Sequence, residues 1–303
     1  MVLIVGGPAA NGVDEKLAEI TQYRLVKIVH KIFPDGESYV RYPISVKGED
    51  VVVVQSLYAP QDKHFLELLL MIDAALDLGA RRVIAIVPYL AYSRQDKMFL
   101  EGEAVSVRTI LKTLKNLGTY AFITVDIHKE YSLKYFGERA YNVTAMEEIA
   151  KHIKKQFPDL KNPLVLSPDK GAIIHASKVA KVLNSEYDYL EKERDRITGE
   201  IRVKPKELSV NGRDVIIVDD IISTGGTIAL AAKSVLKQGA RRVIVGCTHP
   251  LLISNAKEKL REAGISYLVA TDTIPSEYSR VSVAPAIAEL LKKVILLSGE
   301  KIA

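Results

Sequence analysis

The chain has 303 residues, of which 48% are hydrophobic and 26% charged, with a formal net charge of +5 and a single cysteine, Cys247. This composition allows a large packed core and excludes an internal disulfide or a cysteine-based metal site, and the length favours two domains. Neither an apolar run of membrane-spanning length nor a signal peptide is recognisable, so we expect a cytoplasmic protein without a membrane partner.

The basic balance is compatible with either a nucleic acid or an anionic metabolite as partner. Lysine and arginine are spread along the chain beside acidic residues, without a basic tail or zinc-finger spacing. A phosphate-rich small substrate therefore explains the charge as well as a nucleic acid does, and we expect no nucleic-acid partner.

Strand-like and helix-like segments alternate along the whole chain. Residues 1–7 predict a first strand and its turn, and apolar β-branched runs predict further strands at 51–54, 83–87, 122–125, 164–166, 215–218, 243–246 and 267–270. Helices are predicted between them, at 65–78, 105–117, 147–156 and 228–236, and a last helix at 284–297 is expected to pack back on the first domain. This alternation is typical of an α/β fold whose mainly parallel sheets are flanked by helices.

An internal repeat divides the chain. The sequence Gly-Ala-Arg-Arg-Val-Ile occurs at 79–84 and again at 239–244, and the strand before the first copy matches the strand before the second. The simplest explanation is two similar α/β domains in tandem, 1–144 and 145–303. Gln55 and Ser56 stand in the first copy where Asp219 and Asp220 stand in the second, so the two copies cannot bind the same ligand in the same way.

Three segments of the first half carry polar groups that are candidates for ligand binding. Residues 33–37, Phe-Pro-Asp-Gly-Glu, form an acidic turn that is by itself ordinary turn chemistry. Residues 94–96, Arg-Gln-Asp, follow the strand 83–87 and suit either a polyphosphate and a base or a surface ion-pair loop. Asp126 and His128 follow the strand 122–125 and could meet a phosphate or a metal, although a lone histidine is more often structural.

Two segments of the second half are also candidates. The loop 167–172 ends a strand, its amides could cradle a diphosphate, and Asp169 could bind a metal. The segment 190–200 is dense in charge, and it is either a solvated hairpin or a lid that covers a developing anion.

The most informative stretch is 215–227, in which a buried strand leads to two acids, a Ser-Thr-Gly-Gly-Thr turn and a helix. A glycine turn at a helix N-terminus suits a phosphate, whereas adjacent acids suit sugar hydroxyls or a cation. Together they indicate a sugar phosphate, the other interpretation being that the acids only cap the helix. The stretch resembles the fingerprint for phosphoribosyl diphosphate (PRPP), which is shared by enzymes that make PRPP and enzymes that consume it.

In their order and spacing, these segments resemble the archaeal members of the ribose-phosphate diphosphokinase family, also called PRPP synthases. The resemblance covers nearly the whole chain and implies two tandem phosphoribosyltransferase-type domains. It also implies that ATP and ribose 5-phosphate react to give PRPP and AMP, with Mg²⁺ as cofactor. The family resemblance further implies a homo-oligomer, at least a dimer, whose active site is shared between subunits.

The resemblance also assigns roles to residues. It implies ATP binding by seven residues, with the first three reaching a neighbouring subunit: Phe33, Asp35, Glu37, Arg94, Gln95, Asp96 and His128. It implies that ribose 5-phosphate is bound by Asp219, Asp220, Ser223, Thr224, Gly225, Gly226 and Thr227. The diphosphate loop is implied to be Asp169, Lys170, Gly171 and Ala172. Lys192 and Arg194 correspond to the family's catalytic flexible loop, and Asp126, His128 and Asp169 to metal-binding positions.

Two departures from the commoner bacterial pattern favour the archaeal type. Ala172 stands where many bacterial members have a second glycine, and the phosphate loop reads Ser-Thr-Gly-Gly-Thr rather than Asp-Thr-Ala-Gly-Thr.

Three other functions are considered. A phosphoribosyltransferase that consumes PRPP shares the fingerprint but lacks a reason for the duplication and the ATP-side segments. A catalytically silent regulatory homologue should lack lid or metal residues, yet Lys192, Arg194, Asp219, Asp220 and His128 are present. A nucleic-acid binder is a distant third.

Overall fold

A computed structural model describes residues 1–190, 192–194, 201–203 and 208–297. Its internal contacts divide the chain into two compact units. Unit 1 consists of Met1–Thr144 with Asp272–Ile274 and the chain from Ser282 onward, and unit 2 consists of Ala145–Thr271 with Pro275–Val281. As functional domains, 1–144 and 145–303 stay a prediction.

Eight strands and three helices form the first part of the chain. In order they are β1 (Val2–Gly6), α1 (Val13–Thr21), β2 (Arg24–Lys27), β3 (Val29–Ile32), β4 (Ser38–Arg41), β5 (Asp50–Val54), α2 (Gln61–Asp77), β6 (Arg82–Val87), α3 (Ser106–Asn116), β7 (Ala121–Val125) and β8 (Ala140–Val143). A short 3₁₀ helix, Glu130–Tyr135, lies between the last two strands.

The described residues of the second part form eight strands and five helices. Its elements are α4 (Met146–Gln156), β9 (Leu164–Ser167), α5 (Ile173–Leu183), β10 (Glu186–Tyr189), β11 (Lys192–Arg194), β12 (Ile201–Val203), β13 (Asp214–Ile222), α6 (Gly226–Lys237), β14 (Arg242–Pro250), α7 (Ala256–Glu262), β15 (Tyr267–Thr271), β16 (Ser279–Val281) and α8 (Ala284–Leu297). A 3₁₀ turn, Lys170–Ala172, precedes α5.

The two units have the same sheet topology. Unit 1 contains a parallel six-stranded sheet in the order β2-β1-β5-β6-β7-β8, and unit 2 one in the order β10-β9-β13-β14-β15-β16. In each unit an antiparallel hairpin, β3–β4 or β11–β12, follows the second strand. The predicted α/β fold with two tandem domains of one type is confirmed.

Buried strands and amphipathic helices build the core of each unit. All five residues of β5 and of β7 are buried, as expected for central strands covered by helices on both faces. In α3 the buried residues are Val107, Ile110, Leu111 and Leu114, the spacing of one helical face. The final helix α8 contacts α1, β7 and β8 of unit 1. Among the described helices, none combines the length and the apolar character needed to span a bilayer.

A buried aspartate begins one central strand of each sheet and explains the repeated Arg-Arg. In unit 1 the Asp50 carboxylate accepts two hydrogen bonds from Arg81, at 2.8 and 2.7 Å, and two from Arg82, at 2.9 and 2.6 Å. Burial opposes ionisation of Asp50, but these hydrogen bonds outweigh it and hold the pKa of Asp50 below its ordinary value. The repeat therefore marks a structural ion pair.

The same arrangement recurs in unit 2. Asp214 is fully buried and accepts from Arg241 at 2.8 and 2.6 Å, from Arg242 at 2.8 Å and from the backbone N–H of Lys161 at 2.9 Å. Burial again opposes ionisation, and the arginine hydrogen bonds again lower the pKa of Asp214.

We expect the substitutions Asp50→Asn and Asp214→Asn each to destabilise the protein by about 3 kcal/mol, because they leave two arginines facing a neutral amide. Thermal unfolding measures this loss. The matched control is Asp159→Asn, which removes an exposed carboxylate from the same arginines that bind Asp214 and should cost much less stability, because water screens this pair. Equal effects at Asp159 and Asp214 would contradict the buried-pair interpretation.

The pH dependence gives a second readout of the same pairs. Because the folded pKa values of Asp50 and Asp214 are lowered, their contribution is complete above the ordinary aspartate pKa of about 4 and is lost as the pH falls through the lowered values. The difference in stability between the wild type and either variant should therefore shrink below about pH 4.

Candidate active site

The strand order of unit 2 reverses between β9 and β13, which creates a crevice at the carboxyl ends of these strands. The last pair between them is Ile217↔Leu166, whereas the pairing of β13 with β14 continues to Ile222↔Pro250. The end of β13 therefore projects beyond β9. This geometry brings the loop after β9 and the acids of β13 to one edge of the sheet.

The two acids lie inside β13 rather than after it, so the predicted strand end at residue 218 was wrong. Pairing with β14 keeps this segment extended. Consecutive strand residues point to opposite faces, and Asp219 is half-buried while Asp220 is buried. Asp219 Oδ1 accepts from the N–H of Asp220 at 3.0 Å, and Asp220 Oδ1 accepts from the N–H of Ile221 at 2.9 Å.

The negative charge of Asp219 and Asp220 affects the thiol of Cys247 on the neighbouring strand. Cys247 pairs with Asp219 in the sheet, and burial together with the charges of Asp219 and Asp220 raises the pKa of its thiol. The thiol therefore stays protonated. The same negative field suits a cation or sugar hydroxyls at this edge and opposes a phosphate directly beside the acids.

The Ser-Thr-Gly-Gly-Thr turn leads directly into α6. Gly225 has φ 73°, and within the described residues no side chain caps the helix that begins at Gly226. The amides of the first turn have no partner within the helix, so they can receive an anion, and the helix dipole favours it there. The N–H of Ile253 donates to the carbonyl of Ser223 at 3.1 Å and holds the start of the turn.

The loop after β9 satisfies its own hydrogen bonds. Asp169 Oδ1 accepts from the N–H of Gly171 at 2.9 Å, the Asp169 carbonyl accepts from the N–H of Ala172 at 3.3 Å, and the Ser167 hydroxyl donates to the Asp169 carbonyl at 2.7 Å. Two of the amides that were expected to cradle a diphosphate are thus engaged within the loop. Lys170 and Gly171 are exposed at its tip.

Two of the predicted ATP-side segments meet in unit 1. Asp96 is buried and accepts a short hydrogen bond from the Tyr131 hydroxyl, and this bond raises the pKa of Tyr131 to about 12. Tyr131 lies on the 3₁₀ helix that begins two residues after His128, so the bond joins the loop after β6 to this helix. Asp126 is buried, has a left-handed φ of 38° and donates its N–H to Val143, while His128 is half-buried.

Glu103 organises the loop that follows Gln95. Its Oε2 accepts from the N–H of Phe99 at 2.8 Å, from the N–H of Leu100 at 3.0 Å and from Gln95 Nε2 at 3.1 Å. The backbone hydrogen bonds from Leu100 and Phe99 lower the pKa of Glu103. Sequence reasoning missed Tyr131, because its partner Asp96 is distant in the chain, and Glu103, because no pattern distinguished it from a solvated loop acid. Arg94 is exposed beside this loop.

The equivalent crevice of unit 1 is closed by protein groups. Gln55 is fully buried, and its Oε1 accepts from the N–H of Ala9, in the loop after β1, at 2.8 Å. The hydroxyl of Ser56 donates to the carbonyl of Thr273 at 2.7 Å. These bonds are a physical reason why the first copy should not bind the same ligand as the second.

The remaining predicted residues lie on the two hairpins. Phe33, Asp35 and Glu37 form the exposed tip between β3 and β4, where the N–H of Phe33 donates to the Glu37 carbonyl at 2.8 Å. Lys192 and Arg194 lie on β11, and their side chains are outside the described part of the structure.

The donor set fits a hard divalent cation. Within the described residues, no three His, Cys, Asp or Glu side chains form a metal cluster; Asp126 and His128 belong to unit 1 and Asp169 to unit 2. Mg²⁺ prefers oxygen ligands and usually takes only one or two protein carboxylates together with substrate phosphates. Asp126 in unit 1 and Asp169 in unit 2 each provide one carboxylate of this kind.

Substitution of the turn glycine tests whether the loop conformation is required. At Gly225 an added Cβ would lie 3.2 Å from Leu260 Cγ and 3.3 Å from the Ala256 carbonyl, at a positive φ. We expect Gly225→Ala to cost about 1–2 kcal/mol of stability and to weaken the thermal shift expected from the predicted ligand, ribose 5-phosphate. Differential scanning fluorimetry measures both.

The neighbouring glycine is the matched control. At Gly226 an added Cβ would meet only Thr224 Oγ1, at 3.9 Å, so Gly226→Ala should leave the stability without ligand unchanged within about 0.5 kcal/mol. If Gly225→Ala were as stable as the wild type, the positive φ and the close contacts at this position would not require glycine.

Comparison with known proteins identifies the family. The model for the N-terminal domain of ribose phosphate pyrophosphokinase matches residues 2–118, and the phosphoribosyl transferase domain model matches residues 141–281. A ribose-phosphate pyrophosphokinase from Sulfurisphaera tokodaii is 49% identical, over 95% of this chain and 99% of that one. Another from Saccharolobus solfataricus is 47% identical, over 90% and 93%.

A solved structure agrees over the whole length. The crystal structure of phosphoribosylpyrophosphate synthetase from Mycobacterium smegmatis superposes with a TM-score of 0.86 at 31% identity, over 97% of this chain and 99% of that one. The predicted family resemblance, with its archaeal character, is confirmed. The chain belongs to the ribose-phosphate pyrophosphokinase family of enzymes, the diphosphokinases whose motifs the sequence resembles.

Proposed function

We propose that this enzyme transfers the diphosphoryl group of ATP to the anomeric hydroxyl of ribose 5-phosphate, giving PRPP and AMP for nucleotide biosynthesis. The observation that supports it most directly is the crevice of unit 2, where an uncapped helix N-terminus lies beside two carboxylates. This combination suits a sugar phosphate, and the relatives that match the whole chain are named for this reaction.

Ribose 5-phosphate is held in unit 2. The amides and hydroxyls of 223–227 receive the 5-phosphate at the start of α6, where the helix dipole is favourable. Asp219 and Asp220 accept hydrogen bonds from the ribose hydroxyls. Because the phosphate and the hydroxyls are fixed at opposite ends, the anomeric hydroxyl is presented in one orientation.

ATP is held mainly by unit 1. Arg94 meets the polyphosphate, Gln95 and Asp96 hold that loop or contact the base, and His128 lies near the triphosphate. The Tyr131–Asp96 hydrogen bond holds the segment after β6 next to the segment after β7. Phe33, Asp35 and Glu37 reach the adenine site of a neighbouring subunit, so the active site is shared within a homo-oligomer of at least two chains.

The reaction needs no covalent enzyme intermediate. The anomeric oxygen attacks the β-phosphorus as AMP leaves, and catalysis comes from positioning and charge neutralisation. The diphosphate loop, Asp169, Lys170, Gly171 and Ala172, receives the transferred group. Lys192 and Arg194 close over it and stabilise the charge that develops in the transition state.

Mg²⁺ is the proposed cofactor. Asp126, His128 and Asp169 would hold it together with the substrate phosphates, and Asp219 and Asp220 are further oxygen donors. When bound, Mg²⁺ supplies positive charge that offsets the negative charge of the phosphates. Membrane and nucleic-acid partners are not proposed, and a cytoplasmic location stays a prediction.

The reaction is tested by AMP release from ATP, with and without ribose 5-phosphate, in Mg²⁺ and then in EDTA. We expect AMP only when sugar phosphate and metal are both present. A phosphoribosyltransferase would instead release diphosphate from PRPP and a base, without using ATP. A silent homologue would bind both ligands and release no AMP, and either result would refute the proposal.

The lid is tested by Lys192→Ala. Because the lysine is proposed to act on the transition state, kcat should fall by about a hundredfold or more while the KM values for both substrates change little. Steady-state kinetics measure the split. Lys181→Ala, which removes an exposed lysine from the last turn of α5, is the matched control and should leave kcat unchanged. A large rise in KM with normal kcat would refute the lid role.

A further inference from the structure

The hairpin β3–β4 has two faces with different contacts. Its strands pair from Val29↔Arg41 to Ile32↔Ser38, so His30 and Ser38 share one face while Lys31 and Tyr39 share the other. The first face turns to α2, and the second carries an aromatic cluster. The tip between the strands holds residues 33–37.

A buried carboxylate of α2 binds the first face. Glu67 is fully buried, and its Oε1 lies 2.8 Å from His30 Nε2 and accepts from the Ser38 hydroxyl at 2.9 Å. A buried carboxylate is costly unless its oxygens are hydrogen-bonded, so the hairpin position that satisfies Glu67 is strongly favoured. Below the hairpin, the Tyr42 hydroxyl donates to the Met71 carbonyl at 2.7 Å and fixes the second strand to the same helix.

Gln55 links this carboxylate to the sheet. Its Nε2 lies 3.4 Å from Glu67 Oε2 and 3.4 Å from the His64 carbonyl, while its Oε1 accepts from Ala9 at 2.8 Å. Gln55 follows β5 at the position that Asp219 occupies in unit 2. The crevice of unit 1 therefore holds a hydrogen-bond network that runs from the strand end to the hairpin.

The second face makes the hairpin tip rigid. The Lys31 ammonium lies 4.6 Å from the centre of the Phe33 ring and 4.7 Å from that of Tyr39, and the two rings meet edge to face at 5.8 Å. The Phe33 ring therefore has a defined place although 37% of the residue is exposed. A shift at the base of the hairpin is carried to Phe33 and to the acids beside it.

We propose that Glu67 and Gln55 are positioning residues for ATP. The crevice that binds the sugar phosphate in unit 2 is used in unit 1 to fix the hairpin whose tip contacts adenine. This inference rests on the proposed role of Phe33, Asp35 and Glu37 in the ATP site of a neighbouring subunit.

The test is Glu67→Gln in the full-length enzyme, with KM for each substrate measured separately. An amide has one acceptor oxygen where the carboxylate has two, so it cannot accept from both Gln55 Nε2 and the Ser38 hydroxyl. The network should therefore rearrange and the hairpin base should shift. We expect KM for ATP to rise about tenfold while KM for ribose 5-phosphate stays within about twofold.

Two controls separate positioning from general destabilisation. Asp50→Asn lies in the same unit, away from the hairpin network, and should lower the melting temperature without raising KM for ATP. Hydrogen exchange should increase in peptides that cover 29–41 in Glu67→Gln and not in Asp50→Asn. Equal changes in both KM values, or no change in either, would overturn the inference.

Failure of the proposed function gives a different result. If the wild type releases no AMP from ATP and ribose 5-phosphate, the proposed reaction is refuted. The hydrogen-exchange comparison still tests whether Glu67 and Gln55 hold the hairpin. If the wild type is active but hydrogen exchange at 29–41 is unchanged in Glu67→Gln, only the positioning role of Glu67 and Gln55 is refuted.

Discussion

A buried aspartate at the start of a central strand fixes the pairing of each sheet. Asp50 and Asp214 each receive hydrogen bonds from two consecutive arginines of the next strand. Arginine forks bind a carboxylate in few geometries, so the registers Asp50↔Arg82 and Asp214↔Arg242 satisfy the charges and a slipped register would not. A slip of one residue would also turn the apolar side chains to the wrong face. The positions of the opposite, carboxyl ends follow from this constraint.

The two units share one sheet topology but differ in the groups that they place at the carboxyl ends of their strands. The strand order, the inserted hairpin and the aspartate–arginine pairs are duplicated, and the differences concentrate at the carboxyl ends. In unit 2 the strand end presents acids beside an uncapped helix, whereas in unit 1 the equivalent position is filled by Gln55 and its partners. The residues of the ligand site can differ between the units without disturbing the core, because the aspartate–arginine pairs that set the strand register lie at the other end of the strands.

Much of the fold could be predicted from the sequence because the strands are short apolar runs separated by helical periodicity. The run 164–166 differs from the observed Leu164–Ser167 by one residue. Prediction failed where pairing with a distant strand determines the structure. The strand β13 continues through its acids because β14 extends beside it. The hairpin strands β3 and β4 are too exposed to show the apolar pattern of a buried strand. The site segments were recognisable by spacing, but Tyr131 binds Asp96 from a distant part of the chain and Glu103 accepts hydrogen bonds within its own loop.

The loop after β9 has a consequence for how the proposed ligands would bind. The Gly171 amide and the Asp169 carboxylate satisfy each other at 2.9 Å. In the proposed reaction these groups have different partners, since an amide suits the diphosphate and a carboxylate suits Mg²⁺. One internal hydrogen bond, whose acceptor is already charged, would be exchanged for two contacts with charged partners, so the exchange gains one charge-assisted interaction. Diphosphate and metal would therefore favour each other's binding at this loop, since either one breaks the bond that the other must break.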